Sequence, residues 1–478
     1  MTTICQTRNI ISASVHYLRS LASCKVQIGL GLLAWTTGAS RRMIDVLHQS
    51  GLSMSFVSIT HIIDALAEHS LEEAREAVRI GPHALAYDNI NLSTSIFVEQ
   101  TTNTPSKVQS GTFPVIYKLL NAKPEDMKLE TLISRFKDSS PLTMSDLRPS
   151  KKSVESFITQ SSINVANVLF KHIKGFDYIK NDPLLQHPVR RALPKGYKTK
   201  YYCLRASTIE EASVQGNILV HDDIYRIQLN LGEDDPIINT QAIPTINDQL
   251  TNARIRGAQA MRAPDVSFWE QRRIFQISFG LFHLVMNLIW ALLQSHRGTT
   301  DDLGSLSYFF LILEKTRLGG EHPDYHTLLS SLMQIIDGLL LNAWRTECGS
   351  LDNYAKSKPS RDEIIQTARI ILKKYASPVC KQVFTHPPKE QKDSTSESTL
   401  NPGQPDSDIV HANVVLLTRD LLYVAELVSA ISAGDFGRVE DILPDLACMF
   451  RGAGSNNYST EILHLLFNMK EVWTPEFA

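Results

Sequence analysis

The sequence predicts a mixed α/β protein, and three observations lead there. Short apolar runs at His83–Leu92, Gly111–Leu119 and Ala242–Asn247 have strand character and are set off by polar or proline-glycine punctuation. Between them lie longer stretches whose apolar residues recur at helical spacing. The chain has 478 residues and is 43% apolar, enough for two or three cored units. Strands separated by helices argue for a sheet covered by helices.

In chain order, Ser40–Gly51 reads as a helix stopped by glycine, followed by helical patterns over Ser55–His69 and Leu71–Ile80. Gly81-Pro82 breaks them, and the strands His83–Leu92 and Gly111–Leu119 follow. Residues 126–173 return to helix, with Val154–Ile173 the clearer part. Lys198–Arg205 has the aromatic content of a strand, and Glu210–Leu229 reads as a helix. Ala242–Asn247 reads as a buried strand, Thr251–Met261 as a helix and Arg273–Phe282 as a further strand running into the helix Leu284–Gln294. Leu303–Tyr375 is helical throughout, and Val414–Ile431 and Thr460–Met469 are helical again. The expected division is a helical region over 1–80, a first part of the α/β core over 81–298 and a helical insertion over 299–384. A polar, Ser/Pro-rich disordered linker is expected over 385–411, and a helical part completing the core over 412–478.

Lys plus Arg number 48 against 50 for Asp plus Glu, a formal charge of −2, so any contact with DNA needs a local basic face. The best such face is Arg190, Arg191, Lys195, Lys198 and Lys200, with tyrosines interleaved. It reads as a strip that tracks a phosphate backbone, or as a solvated loop. The six cysteines are scattered with no Cys-x-x-Cys pair, which fits reduced thiols and a nuclear or cytoplasmic location. The run Val26–Trp35 is too short to span a bilayer, and no membrane partner is expected.

Two aspartates carry the candidate chemistry. Asp88 and Asp248 each close a strand-like segment, where hard oxygen ligands hold Mg²⁺ for phosphodiester chemistry. Each has a structural alternative: an Asx turn with Asn89 for Asp88, and a helix N-cap at Asn247, Asp248 or Thr251. His283 and Asn287 lie one helical turn apart and read as a ligand or proton donor, or as a hydrogen-bonded core histidine. His221-Asp222-Asp223 is a weak metal signal, and Asp301-Asp302 reads as a helix N-terminus. Near the C-terminus a glycine-rich turn enters a helix and brings Asn457, Tyr458 and Glu461 together, with helix capping as the alternative.

Gly51–Ser55, Tyr87–Asn91, Gly111-Thr112, Asp248–Thr251, Phe282–Asn287 and Asn457–Glu461, taken in order, resemble the fungal domain of unknown function 6589. That family is similar in layout to cut-and-paste transposases with a ribonuclease-H-like core. The resemblance implies a mixed sheet of that type, Mg²⁺ as cofactor, and Asp88, Asp248 and Glu461 as catalytic metal ligands. Asn89, His283 and Asn457 would support them, and residues 303–375 would be the helical insertion. The implied function is Mg²⁺-dependent DNA strand cleavage or transfer by a transposon-derived protein, with DNA and a second copy of the chain as partners. Asn247 stands where that family usually has glycine, and no DNA-reading module precedes the core. The competing expectation is therefore a catalytically inert helical scaffold that binds protein or nucleic acid.

Overall fold

The computed structural model describes residues 2–93, 108–377 and 409–478. The chain opens with α1 (Thr2–Arg19), α2 (Lys25–Thr36), α3 (Arg41–Gln49) and α4 (Phe56–Ile80). Ser40 and Ser55 cap α3 and α4 by accepting from the Met43 and Ser58 N–H groups. The patterns expected as two helices over 55–80 form the single helix α4, because no glycine or proline interrupts them and Leu71, Ala74, Ala77 and Val78 continue one buried stripe. Strands β1 (His83–Ser93) and β2 (Val108–Lys118) follow, then α5 (Leu129–Lys137), α6 (Lys151–His172) and β3 (Lys200–Cys203).

The helix expected over 210–229 starts only at Ser213, whose hydroxyl caps it, as α7 (Val214–Asp222), and it ends in a wider π turn over Asp223–Gln228. Next come α8 (Pro236–Thr240), β4 (Ile243–Asn247), α9 (Gln249–Met261), β5 (Phe275–Phe279) and α10 (Leu281–His296). Helices α11 (Leu306–Ile312), α12 (Tyr325–Cys348), α13 (Leu351–Ser357) and α14 (Arg361–Tyr375) follow. Of the expected linker, 385–408 lies outside the described residues, and 409–411 already belong to α15 (Ile409–Ser432). The described chain ends with α16 (Phe436–Gly452) and α17 (Asn456–Phe467). No helix among the described residues is long and apolar enough to cross a membrane.

Two compact units result. The first comprises residues 1–129, 199–246 and 253–276; the second comprises 130–198, 247–252 and 277–478. The sheet has the order β3-β2-β1-β4-β5. β1 pairs antiparallel with β2 along its whole length and parallel with β4 through Leu85–Thr245 and Ala86–Ile246. β3 adds antiparallel to β2, with Tyr117 opposite Tyr201. Gly111 is required where β2 meets the segment that follows β3, since a Cβ there would lie 2.1 Å from the Ser207 carbonyl oxygen.

One face of β1 is buried on a polar cluster in unit 1. The Tyr87 hydroxyl donates to Asn217 Oδ1 at 2.8 Å and lies 2.9 Å from His221 Nε2, while His83 Nε2 lies 3.0 Å from the Tyr225 hydroxyl. Arg272 holds a left-handed backbone (φ 56°) and turns its buried guanidinium onto Asp222 at 2.7 Å, over the Trp269 ring. The expected metal cluster at His221-Asp222-Asp223 is thus dispersed among structural partners, with Asp223 accepting from Gln228.

Unit 2 is a helical assembly built around a buried ion pair. Arg438 on α16 donates two bonds of 2.8 Å to Glu426 on α15, with both side chains almost fully excluded from solvent. Asn164 on α6 donates to the same carboxylate at 2.8 Å, and Ser429 takes a further guanidinium bond. Asp301-Asp302 does not open a helix as expected. Asp302 closes a turn by accepting the Thr299 N–H at 2.7 Å, and Ser305 caps α11.

Two outcomes follow for stability. Replacing Arg438 by Met leaves Glu426 buried without its cation, and the unfolding free energy from urea titration is expected to drop by about 3–5 kcal/mol. A loss below about 1 kcal/mol would mean the pair is not what organises unit 2.

Burial holds the His83 imidazole down to about 4 and His221 well below its ordinary value. Both are neutral in the native state, so the unfolded chain binds more protons between about pH 6.5 and 4. Stability is therefore expected to fall as the pH drops through that window, by up to about 3 kcal/mol for His83. The His83→Gln variant should show a shallower loss between pH 7 and 4.5, and an unchanged slope would show that His83 does not contribute.

Candidate functional site

Asp248 is the residue between β4 and α9, and its carboxylate accepts the Thr251 N–H at 2.7 Å. Of the three residues offered as the cap, Asp248 is the one that performs it, so α9 starts at Gln249 and not at Thr251. One helical turn on, Asn252 is fully buried, and its amide donates to the Ser278 carbonyl at 3.1 Å and to Glu461 Oε2 at 3.3 Å. Asn247 is buried beside it, its amide 3.5 Å from Asn252 Oδ1 and its carbonyl taking the Gly280 N–H at 2.9 Å.

Glu461 arrives from α17 and is buried. Tyr458 lies one turn before it on the same helix and is buried as well. Its phenol is held above its ordinary value first by burial, then by the charges of Asp248 and Glu461. The junction of β4 with α9 and the first turns of α17 therefore converge in unit 2 on two carboxylates, two buried amides and a phenol.

The other expected residues are not buried as Glu461 is. Asn457 is exposed in the first turn of α17, one turn before Glu461 on the same side of the helix. His283 is half-buried on α10, its carbonyl accepting from Asn287 at 2.9 Å and its ring set edge-on to Phe282. Asp88 lies on β1 in unit 1, exposed, on the strand face opposite to buried Tyr87. One carboxylate oxygen accepts the N–H of the next residue, Asn89, at 2.8 Å, one residue short of the bond that closes an Asx turn, and Asp88 lies in the middle of β1 and not at the strand end expected. Among the described residues no three His, Cys, Asp or Glu side chains gather closely enough to hold a metal ion. Asn252 carries no signal in the sequence beyond its place four residues after Asp248, while Asn247, expected only as a cap or a departure from the family's glycine, is buried beside it.

The basic strip divides. Arg190 is not a free phosphate contact: its guanidinium makes a bidentate pair with Asp441 at 2.7 and 2.8 Å, and its N–H donates to Asp435. Arg191 is half-exposed but pairs with Glu440 at 3.1 Å and lies over the Phe436 ring. Gly437 permits this, because a Cβ there would lie 2.7 Å from the Arg191 backbone nitrogen. Lys195, Lys198 and Lys200 are exposed. Tyr201 is well exposed and Tyr202 half-buried, so the expected inward and outward alternation is only partial on this edge strand.

The profile of the family of unknown function DUF6589 matches residues 136–478, well over half of the chain. The chain belongs to this family. The DUF6589 match takes in Asp248, Glu461 and the basic strip, and it begins beyond Asp88. Comparison with curated proteins and with solved structures gives no match.

If the three lysines meet phosphates, the Lys195→Ala/Lys198→Ala/Lys200→Ala variant should bind DNA more weakly whatever its sequence. The slope of log K against log salt should fall by about 0.9 for each lost contact. An unchanged slope would leave the strip as a solvated loop.

Proposed function

We propose that this DUF6589 chain is a transposon-derived protein with a ribonuclease-H-like core, and that Asp248 and Glu461 are the centre of a Mg²⁺-dependent site for DNA strand cleavage or transfer. The observation that carries the reading is that Glu461 takes a bond from Asn252, in the first turn of the helix that Asp248 caps. The sheet supports it. Three antiparallel strands in the order β3-β2-β1, then a parallel β4, form the arrangement expected of such a core. Asp248 directly follows β4, where open sheets carry their sites.

Mg²⁺ is commonly held by one or two carboxylates together with substrate phosphates, and Asp248 with Glu461 suits that donor set. Three acids are not gathered, so a fully assembled three-acid arrangement does not fit these side-chain positions. When bound, the metal would lower the pKa of water and offset charge on the phosphodiester. Asn252 fixes Glu461 by its amide bond, and Asp248 is fixed by its bond to Thr251.

A second reading, an inert scaffold that binds protein or nucleic acid, is favoured by the same ungathered acids. One experiment separates the two. Asparagine is as good an N-cap as aspartate, so Asp248→Asn is expected to fold normally while losing the charge a metal needs. The proposal expects Mg²⁺-dependent nicking of supercoiled DNA by the wild type, reduced at least about 100-fold in Asp248→Asn and Glu461→Gln. Wild-type protein that nicks nothing with Mg²⁺ or Mn²⁺, or variants that nick as well as it does, would decide for the scaffold.

A further inference from the structure

Helices α10, α15 and α16 of unit 2 pack on one another and leave a cavity of about 350 Å³ among them. That is the size of a small-ligand site. Its apolar wall is α10, through the buried Leu288 and Leu292. The polar groups come from α15 and α16, and Cys448 lines the cavity while remaining exposed, so the space reaches the surface.

The charges in this lining are not equivalent. Asp420 is compensated on both oxygens, by His296 Nε2 at 2.8 Å and by the Arg419 guanidinium at 2.6 Å. Arg419 is thereby committed. Asp445 has no ion pair among the described residues. Tyr423 and Arg419 line the same cavity, and the Arg419 guanidinium is turned onto Asp420. A half-buried carboxylate beside leucines, with the nearby cation engaged elsewhere, presents negative charge where the dielectric is low and a cation is worth most.

We infer that this cavity binds a small organic cation, a primary ammonium on a short apolar body, with the ammonium on Asp445 and the body against Leu288 and Leu292. A divalent metal is the poorer occupant, because it requires several oxygen ligands at once and no three metal-ligating side chains gather among the described residues. An anion would meet Asp445 directly. A wholly apolar ligand would leave its carboxylate desolvated without compensation. The inference is independent of any nuclease activity.

Benzylamine serves as the probe and benzyl alcohol as its neutral counterpart. Binding is read as protection of Cys448 from iodoacetamide, followed by peptide mass mapping of the full chain. Benzylamine is expected to protect saturably, and the alcohol to need at least about tenfold more, the scale of a charge-assisted bond. Asp445→Asn keeps the size of the side chain without its charge, and it should bring benzylamine to the level of the alcohol. Ala453→Phe, which fills the cavity from its α16 end, should abolish protection by both and stands in if the Asn variant does not fold. Absence of saturable protection, equal protection by the two probes, or undiminished benzylamine protection in Asp445→Asn would each overturn the inference.

Discussion

Unit 2 depends on removing Arg438 and Glu426 from water together. Such a pair recovers its desolvation cost only when geometry is good and the remaining polar atoms are also bonded. Here two bonds of 2.8 Å join the charges, Asn164 takes a further share of the carboxylate and Ser429 of the guanidinium. These bonds fix α15, α16 and α6 in register, because displacement of any one helix would leave a buried charge or amide unpaired. The segment from His187 to Ala192 is then held to the same helices. His187 meets Gln160 at 2.7 Å, and the Arg190 and Arg191 N–H groups both donate to Asp435.

Both sites described in unit 2 inherit their positions from this core. α17 packs on α16, which is how Glu461 is brought to Asn252 and the start of α9. The cavity beside Asp445 is walled by α15 and α16 themselves. Unit 1 rests on a different constraint: β1 is hydrogen-bonded on both edges, and its buried face is satisfied by Tyr87 and His83 through α7 and the π turn. The π turn widens the helix at Asp223–Gln228 and brings Tyr225 to His83 while Gln228 reaches back to Asp223.

Local chemistry was legible in the sequence. Strands β1, β2, β4 and β5 were found because their apolar runs end at residues that favour turns, and the serine caps at Ser40 and Ser55 mark helix starts, whereas the cap at Ser213 was passed over in a helix read from Glu210. Boundaries failed where two signals compete: Thr251 and Asp248 both qualify as caps, and only the carboxylate reaches back to the backbone. Long-range pairing was not legible. Nothing near Arg190 and Arg191 indicates that Asp441, Asp435 and Glu440 neutralise them, since these acids lie some 250 positions further along. A count of local basic residues therefore overstates the free positive charge of the strip.

The candidate acids show why a structural reading and a functional one need not compete. Capping uses one Asp248 oxygen on a backbone N–H, which leaves the carboxylate with further lone pairs. The cap also fixes the rotamer, so a metal or a phosphate-bound cation arriving there would not have to order the side chain first. Asn252 does the same for Glu461, as a neutral donor that orients the carboxylate without cancelling its charge. A lysine or arginine in that place would hold Glu461 equally well and would oppose a cation.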